Sequence, residues 1–249
     1  MKILILADIH ANLAALQAVF EAEGSWDEIL FLGDAVGWGP NPEEVLTLLS
    51  EQHGVFVMGN HDWNMLRADQ IEKNGTSDVL WMKWSRDQIS SRNLEFLSSF
   101  SPPCVVVRQG LTMRLIHGDA IHGEKDRLWP DSPPELFMAL KTRYDEPHIL
   151  ISHTHVQFER NLKGTHFVNP GGLGQPRLGQ VVAGYGVLEN GDICLKGAPY
   201  DAEKTAKGMD RIPLERDFVH AWKSSFRQGT VPGFYFIRDF SPLMKMGLR

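Results

Sequence analysis

Eight polar residues of metal-binding type stand at the ends of short apolar runs in this chain. Asp8 and His10 follow residues 3–7, Asp34 follows 29–32, and Asn60 and His61 follow 55–58. His117 follows residues 111–116, and His153 and His155 follow 149–151. Carboxylate, amide oxygen and imidazole are donors suited to divalent cations, and imidazole also suits proton transfer near neutrality. Each residue alone has an ordinary explanation. An Asp after a strand caps a helix or closes a turn, and a lone His beside an apolar run is a satisfied core or rim histidine. Recurrence of the whole set at one position in successive units has no such explanation.

The elements that must position these residues follow from the apolar pattern. Runs of four or five apolar residues alternate with helical spacing, as in Leu13, Leu16, Val19 and Phe20, or Val45, Leu46, Leu48 and Leu49 after Pro42. That rhythm predicts buried parallel strands in βαβ units. Ligands bind outside the carboxyl ends of such strands, and neighbouring strands lie about 4.8 Å apart, so the eight side chains can converge. Residues 76–100 read as one or two helices with Trp81, Trp84, Ile89, Leu94, Leu97 and Phe100 on an apolar face. Arg108-Gln109-Gly110 marks a hairpin between residues 104–107 and 111–116. Residues 136–144 read as a helix, and 158–162, 166–168, 181–188 and 193–196 as strands. Two short helices broken at Pro213 are predicted over 202–227. The expected arrangement is one α/β domain over residues 1–249, a mostly parallel half followed by a more antiparallel half.

Composition narrows the function. The chain has 249 residues, 43% apolar and 22% charged, which suits a soluble domain with a sizeable core. A net charge of −6 offers no broad basic surface for nucleic acid. No apolar stretch approaches the roughly 20 residues of a membrane helix, and residues 3–7 are too short for a signal segment. Cys104 and Cys194, far apart and beside apolar runs, are expected to be buried reduced thiols of a cytoplasmic protein.

The chain resembles the calcineurin-like metallophosphoesterases, in particular their small prokaryotic phosphodiesterase branch. The resemblance is carried by Asp8-Ile9-His10-Ala11-Asn12, by Gly33-Asp34-Ala35-Val36-Gly37-Trp38-Gly39-Pro40, by Gly59-Asn60-His61-Asp62, by His117-Gly118-Asp119, by His153-Thr154-His155, and by the segment from Asn169 through Gly172 to Gln175 and Arg177. Three positions depart from the family pattern. Ala11 and Ser152 stand where Gly is usual, and Gly172 where Ser is frequent.

The resemblance implies a two-sheet β-sandwich with flanking helices and two divalent ions, Mn, Fe or Zn. It implies that Asp8, His10, Asp34 and His155 hold the first ion. Asp34, Asn60, His117 and His153 would hold the second, with Asp34 bridging. A hydroxide held between two such ions attacks a phosphate ester. His61 is then the non-ligand histidine that protonates the leaving group or binds a phosphate oxygen. Asp62 either orients His61 or caps a helix starting at Trp63. Arg177 either reaches phosphate or serves its loop. Asn12 either orients a ligand or caps the helix at Leu13, and Trp38 lines the cleft. Of the remaining histidines, His53, His122, His148, His166 and His220 are structural or exposed, with His122 nearest the site. Trp81, Trp84 and Trp222 are core.

A small phosphodiester is the expected substrate. Relatives acting on phosphoprotein monoesters carry an Arg just after the bridging Asp, whereas residues 35–40 here contain no Arg or Lys, which leaves a dianion short of donors unless Arg177 or a base within residues 76–140 supplies them. The competing readings are a phosphomonoesterase, a nuclease, and a scaffold of the same fold without turnover. A complete donor set argues against the scaffold, and the acidic balance against the nuclease.

Overall fold

Strand β1 (Lys2–Leu6) shows how the layers are built. Ile3 and Ile5 face one side and Leu4 and Leu6 the other, and all four are fully buried. This is why the run reads as continuously apolar rather than alternating. The computed structural model describes residues 1–70, 76–118 and 127–232. Its two five-stranded sheets have the orders β10-β9-β1-β2-β3 and β4-β5-β6-β8-β7.

In the first sheet, β1 pairs in parallel with β2 (Glu28–Phe31), and β2 with β3 (Gly54–Phe56). β9 (Val182–Glu189) returns antiparallel beside β1, and β10 (Asp192–Pro199) closes that edge. Helices α1 (Leu13–Glu23) and α2 (Pro42–Ser50) cover one face, joined by α5 (Ser91–Ser98). The opposite face packs Ile3, Ile5 and Leu30 on Met113, Leu115, Leu150 and Val168 of the second sheet. That sheet contains β4 (Cys104–Arg108), β5 (Leu111–Ile116), β6 (His148–Ile151), β7 (Phe158–Leu162) and β8 (Thr165–Asn169). Its outer face is covered by Phe137 and Leu140 of α6 (Pro134–Arg143). The layers therefore run helix, sheet, sheet, helix.

The expected change from a mostly parallel to a more antiparallel half is present: β1, β2 and β3 pair in parallel, whereas β4–β5, β7–β8, β9–β10 and β9–β1 are antiparallel, with β5, β6 and β8 as parallel neighbours between them. The tight β7–β8 turn reads locally as a meander, but β8 inserts beside β6. Two expectations need correction. Cys194 is exposed and Cys104 half-buried, because β10 and β4 are edge strands that turn one face outward. The region 76–100 forms two helices that serve different cores. Trp81 of α4 (Ser77–Gln88) joins Met209, Trp222 and Phe226, whereas Ile89, Leu97 and Phe100 join the core under α1 and α2. The C-terminal helices α7 (Ala202–Gly208) and α8 (Arg216–Gln228) are separated by a 3-10 turn ahead of Pro213 and bring Trp222 and Phe226 to that aromatic cluster.

Candidate metal centre

The pairing of β1 with β2 continues beyond the strand ends. Asp8 N donates to Gly33 O (2.9 Å), His10 N to Asp34 O (3.0 Å) and Ala11 N to Ala35 O (2.8 Å). The first and second loops thus advance side by side. From the other flank, Leu173 N and Gly174 N donate to Ala7 O and Asp8 O. A side chain at Gly174 would stand 1.7 Å from Ile9 O, and one at Gly59, at the start of α3 (Asn60–Leu66), 2.2 Å from Asp34 Oδ1, so these approaches require glycine.

Asp8, His10, Asp34, His153 and His155 all have left-handed backbone, with φ of 53, 47, 63, 72 and 61°. Each costs about 1–2 kcal/mol for a residue with a Cβ. Strain of this kind gathers where the surrounding structure over-determines a functional geometry.

The side chains meet in two sets. In the first, His10 Nε2 lies 3.2 Å from His155 Nε2, 3.9 Å from Asp8 Oδ1 and 3.8 Å from Asp34 Oδ2, and His155 Nε2 lies 3.4 Å from Asp8 Oδ1. In the second, His117 Nε2 lies 3.1 Å from Asp34 Oδ2, 3.0 Å from Asn60 Oδ1 and 3.2 Å from His153 Nδ1. Donors bound to one ion at about 2.0–2.2 Å stand roughly 3.0–3.6 Å from each other; the second set and the contacts of His155 in the first have that spacing, while His10 stands somewhat farther from Asp8 and Asp34. Asp34 Oδ2 belongs to both, while its Oδ1 accepts from His61 N at 2.8 Å.

Ring orientation also fits a cation. His155 Nδ1 donates to Gln175 O (2.8 Å), which leaves its Nε2 lone pair facing inward, and His117 Nδ1 donates to Leu32 O (2.8 Å), so that a cation would take the place of the Nε2 proton that faces Asp34. Asp8 Oδ1 is buried and has no hydrogen-bond partner among the described residues. Burial lowers His10 and His155 far below the ordinary imidazole value and His153 to about 3, so these rings are neutral donors. Burial, with the charge of Asp34, pushes Asp8 up to about 7. Against burial, Asp34 raises His117 to about 9, and His117 in turn holds Asp34 well below the usual carboxylate range. Facing lone pairs and two close carboxylates are the electrostatics that a divalent ion relieves.

The departures from the family pattern have physical accounts. Ala11 tolerates its left-handed backbone (φ 52°). Ser152 Oγ lies 3.0 Å from His117 Nδ1 and 2.9 Å from His117 O, bracing that ring. A side chain at Gly172 would meet His155 Cβ at 2.6 Å.

Other expected site residues divide. Trp38 lines the cleft, and its Nε1 donates to His61 Nε2 at 3.1 Å. The neutral His61 ring then carries its proton on Nδ1. Asp62 makes no hydrogen bond to His61. Its carboxylate accepts from Asp34 N (2.7 Å), Ala35 N (2.8 Å), Val36 N (3.3 Å) and Gly59 N (3.1 Å). It is the third residue of α3, which begins at Asn60 rather than Trp63, and it clamps the Asp34 loop. Burial and the charge of Asp34 push its carboxyl up to about 7. Asn12 does not face the cleft. Its Oδ1 caps α1 at Ala15 N (3.2 Å) and its Nδ2 donates to Gly174 O (2.7 Å). Arg177 lines the cleft, with Nη2 3.1 Å from His155 Nε2. His122 and Asp119 lie outside the described residues.

Arg127, Phe218 and Trp222 also line the cleft, whose volume is about 480 Å³. Arg127 Nε lies 2.9 Å from His153 Nε2, so the cleft has two guanidinium groups where the loop after Asp34 has none. A dianion in the cleft would therefore not lack donors. Trp222 stacks on Trp38 with ring centroids 4.9 Å apart. Trp81 and Trp222 are core, as expected, but Trp222 is also wall.

Residues 1–192 match the calcineurin-like phosphoesterase superfamily domain, and the chain belongs to that superfamily. It is 28% identical over 235 residues to an uncharacterized protein, MJ0912, of Methanocaldococcus jannaschii, covering 85% of this chain and 93% of that one. A metallophosphoesterase from Sphaerobacter thermophilus superposes with a TM-score of 0.73 at 27% identity, over 92% of this chain and 99% of the other. Hypothetical protein PH1004 from Pyrococcus horikoshii shares the fold, with a TM-score of 0.76 at 17% identity over 89% and 97% of the two chains. Family and donor set together make the chain a metal-dependent phosphoester hydrolase. No described helix is long and apolar enough to cross a membrane.

Proposed function

We propose that the chain hydrolyses small phosphodiesters at a dinuclear centre, with Asp8, His10, Asp34 and His155 on one ion and Asp34, Asn60, His117 and His153 on the other. The observation that carries this reading is the position of Asp34 Oδ2, 3.8 Å from His10 Nε2 and 3.1 Å from His117 Nε2, within reach of both sets. Oxygen and imidazole donors without thiolate favour Mn²⁺, Fe²⁺ or Zn²⁺. Bound there, such ions supply Lewis acidity and a nucleophilic water at neutral pH.

The chain's own residues do the rest. Arg127 and Arg177 face the cleft and bind phosphate oxygens as planar donors. Trp38, Phe218 and Trp222 give the opposite wall an apolar surface for the second organic group of a diester. That wall, rather than a shortage of cations, supports the diester preference. His61 stands at the leaving-group side, where its imidazolium form would give a proton to the departing oxygen and return to the neutral ring that accepts from Trp38.

The test is reconstitution with each ion, followed by elemental analysis and kinetics. Close to two ions per chain are expected, with a higher kcat/KM for bis(p-nitrophenyl) phosphate than for p-nitrophenyl phosphate. A monoester preference would overturn the diester assignment alone. Failure to take up any of the three ions would overturn the dinuclear centre.

A further inference from the structure

Beside the metal cleft lies a second cavity of about 210 Å³ that shares Trp38, His61 and Asp78 with it. Its other walls are largely apolar, with Met65, Val79, Trp81 and Met82 contributed by α3 and α4. Thioether and indole walls accept flat or irregular apolar groups. A dry cavity of about 150 Å³ is enough for benzene, so this one has room for a substituted aromatic ring. Two polar atoms of the α4 wall, Trp81 Nε1 and Ser85 Oγ, are buried and have no hydrogen-bond partner among the described residues. Ser85 is fully buried and Trp81 almost so, which places both atoms behind the wall rather than on its surface. The described lining contains no Lys or Arg, and Asp78 stands at the junction with the cleft.

We infer that this cavity binds the leaving alcohol of the ester, and that the alcohol is neutral, with an aromatic or similarly apolar body. The inference rests on the phosphoesterase reading, because it is His61, at the junction of the two spaces, that makes this the leaving-group side. Phosphate lies over the metal donors, the scissile oxygen lies at His61, and the organic group extends past Trp38 between α3 and α4. An alcohol with a second anionic group is disfavoured, since among the described residues lining this cavity it would meet Asp78 and no cation.

The experiment uses the full chain after chelation, so that binding does not depend on metal. Titration calorimetry with 4-hydroxyacetophenone, a neutral phenol, is expected to show one saturable site. Binding of 4-hydroxybenzoate, its anionic counterpart, is expected to be at least tenfold weaker. Met82→Trp, which fills the cavity, should weaken 4-hydroxyacetophenone at least tenfold. Val79→Phe, at a half-exposed position of the same wall, should give the same result if Met82→Trp does not fold by circular dichroism. No saturable binding, equal binding of the two phenols, or unchanged binding in folded variants would overturn the pocket. Binding as expected, with no ester turnover after reconstitution, would overturn the hydrolase reading and not the pocket.

Discussion

On the floor of the cleft, the donors are held by backbone. Asp8, His10 and Asp34 ride on a ladder of loop–loop hydrogen bonds, His117 and His155 are oriented by carbonyl oxygens, and Asp62 gathers four N–H groups under the Asp34 loop. The wall has the opposite character. Trp38, Trp81 and Trp222 meet through ring contacts, and three polar atoms on α4, Trp81 Nε1, Ser85 Oγ and Arg86 Nε, have no hydrogen-bond partner among the described residues. A floor that must place donors within tenths of an ångström of an ion needs over-determined backbone. A wall that contacts an organic group needs only shape and apolar area, and stacked rings tolerate small shifts. Damage to the floor should therefore remove the reaction, whereas damage to the wall should change which ester is used.

The largest effect is expected at Asp34, whose Oδ2 faces both donor sets. Asp34→Ala should lose most of both ions and lower kcat/KM by about a thousandfold or more, equivalent to ~4 kcal/mol of barrier. Elemental analysis beside kinetics checks it. Retention of two ions with full activity would show that the floor is not organised around this oxygen.

Asp62 should break the floor by another route. Asp62→Ala leaves four N–H groups without their acceptor in a buried place, and a single orphaned donor already costs about 1–3 kcal/mol. Loss of about 3 kcal/mol of stability is expected by urea unfolding of the metal-free chain, together with weaker metal uptake. An unchanged midpoint would mean that the Asp34 loop holds its shape alone.

The same division explains what was legible in the sequence. The floor is made of residues directly after apolar runs, so local pattern plus sheet geometry brought seven donors to one place. The main partner of Asp62 was not legible, because three of the four N–H groups it binds belong to a loop 26–28 residues earlier. A carboxylate next to His61 reads as that ring's partner until the third dimension is known. The wall was barely legible. Arg127 stands in no motif, and Phe218 and Trp222 reach the cleft from a helix about 180 residues beyond Trp38. Apolar periodicity shows that a helix has a buried face, not what that face looks onto. Asn12 failed as a site residue for a local reason: the capping geometry already uses both ends of its amide.

The smallest effect, and the sharpest test of the boundary between floor and wall, is expected at Trp38. Its indole donates to His61 Nε2 at 3.1 Å while its ring stacks on Trp222 and meets Trp81 edge-on. Trp38→Phe keeps an aromatic ring in the stack and removes the N–H together with part of the ring surface. A hydrogen bond of this kind is worth about 0.5–1.5 kcal/mol net, which corresponds to roughly a 2- to 13-fold change. If the bond positions His61 for proton transfer, the loss should fall on kcat for esters of poor leaving groups such as alkyl alcohols. Esters of p-nitrophenol, whose leaving group needs no proton, should be nearly unaffected. Trp38→Leu, which also removes the ring, should add a rise in KM for both kinds of ester. Equal losses for alkyl and p-nitrophenyl esters in Trp38→Phe would assign Trp38 wholly to the wall, as a contact surface with no hold on His61.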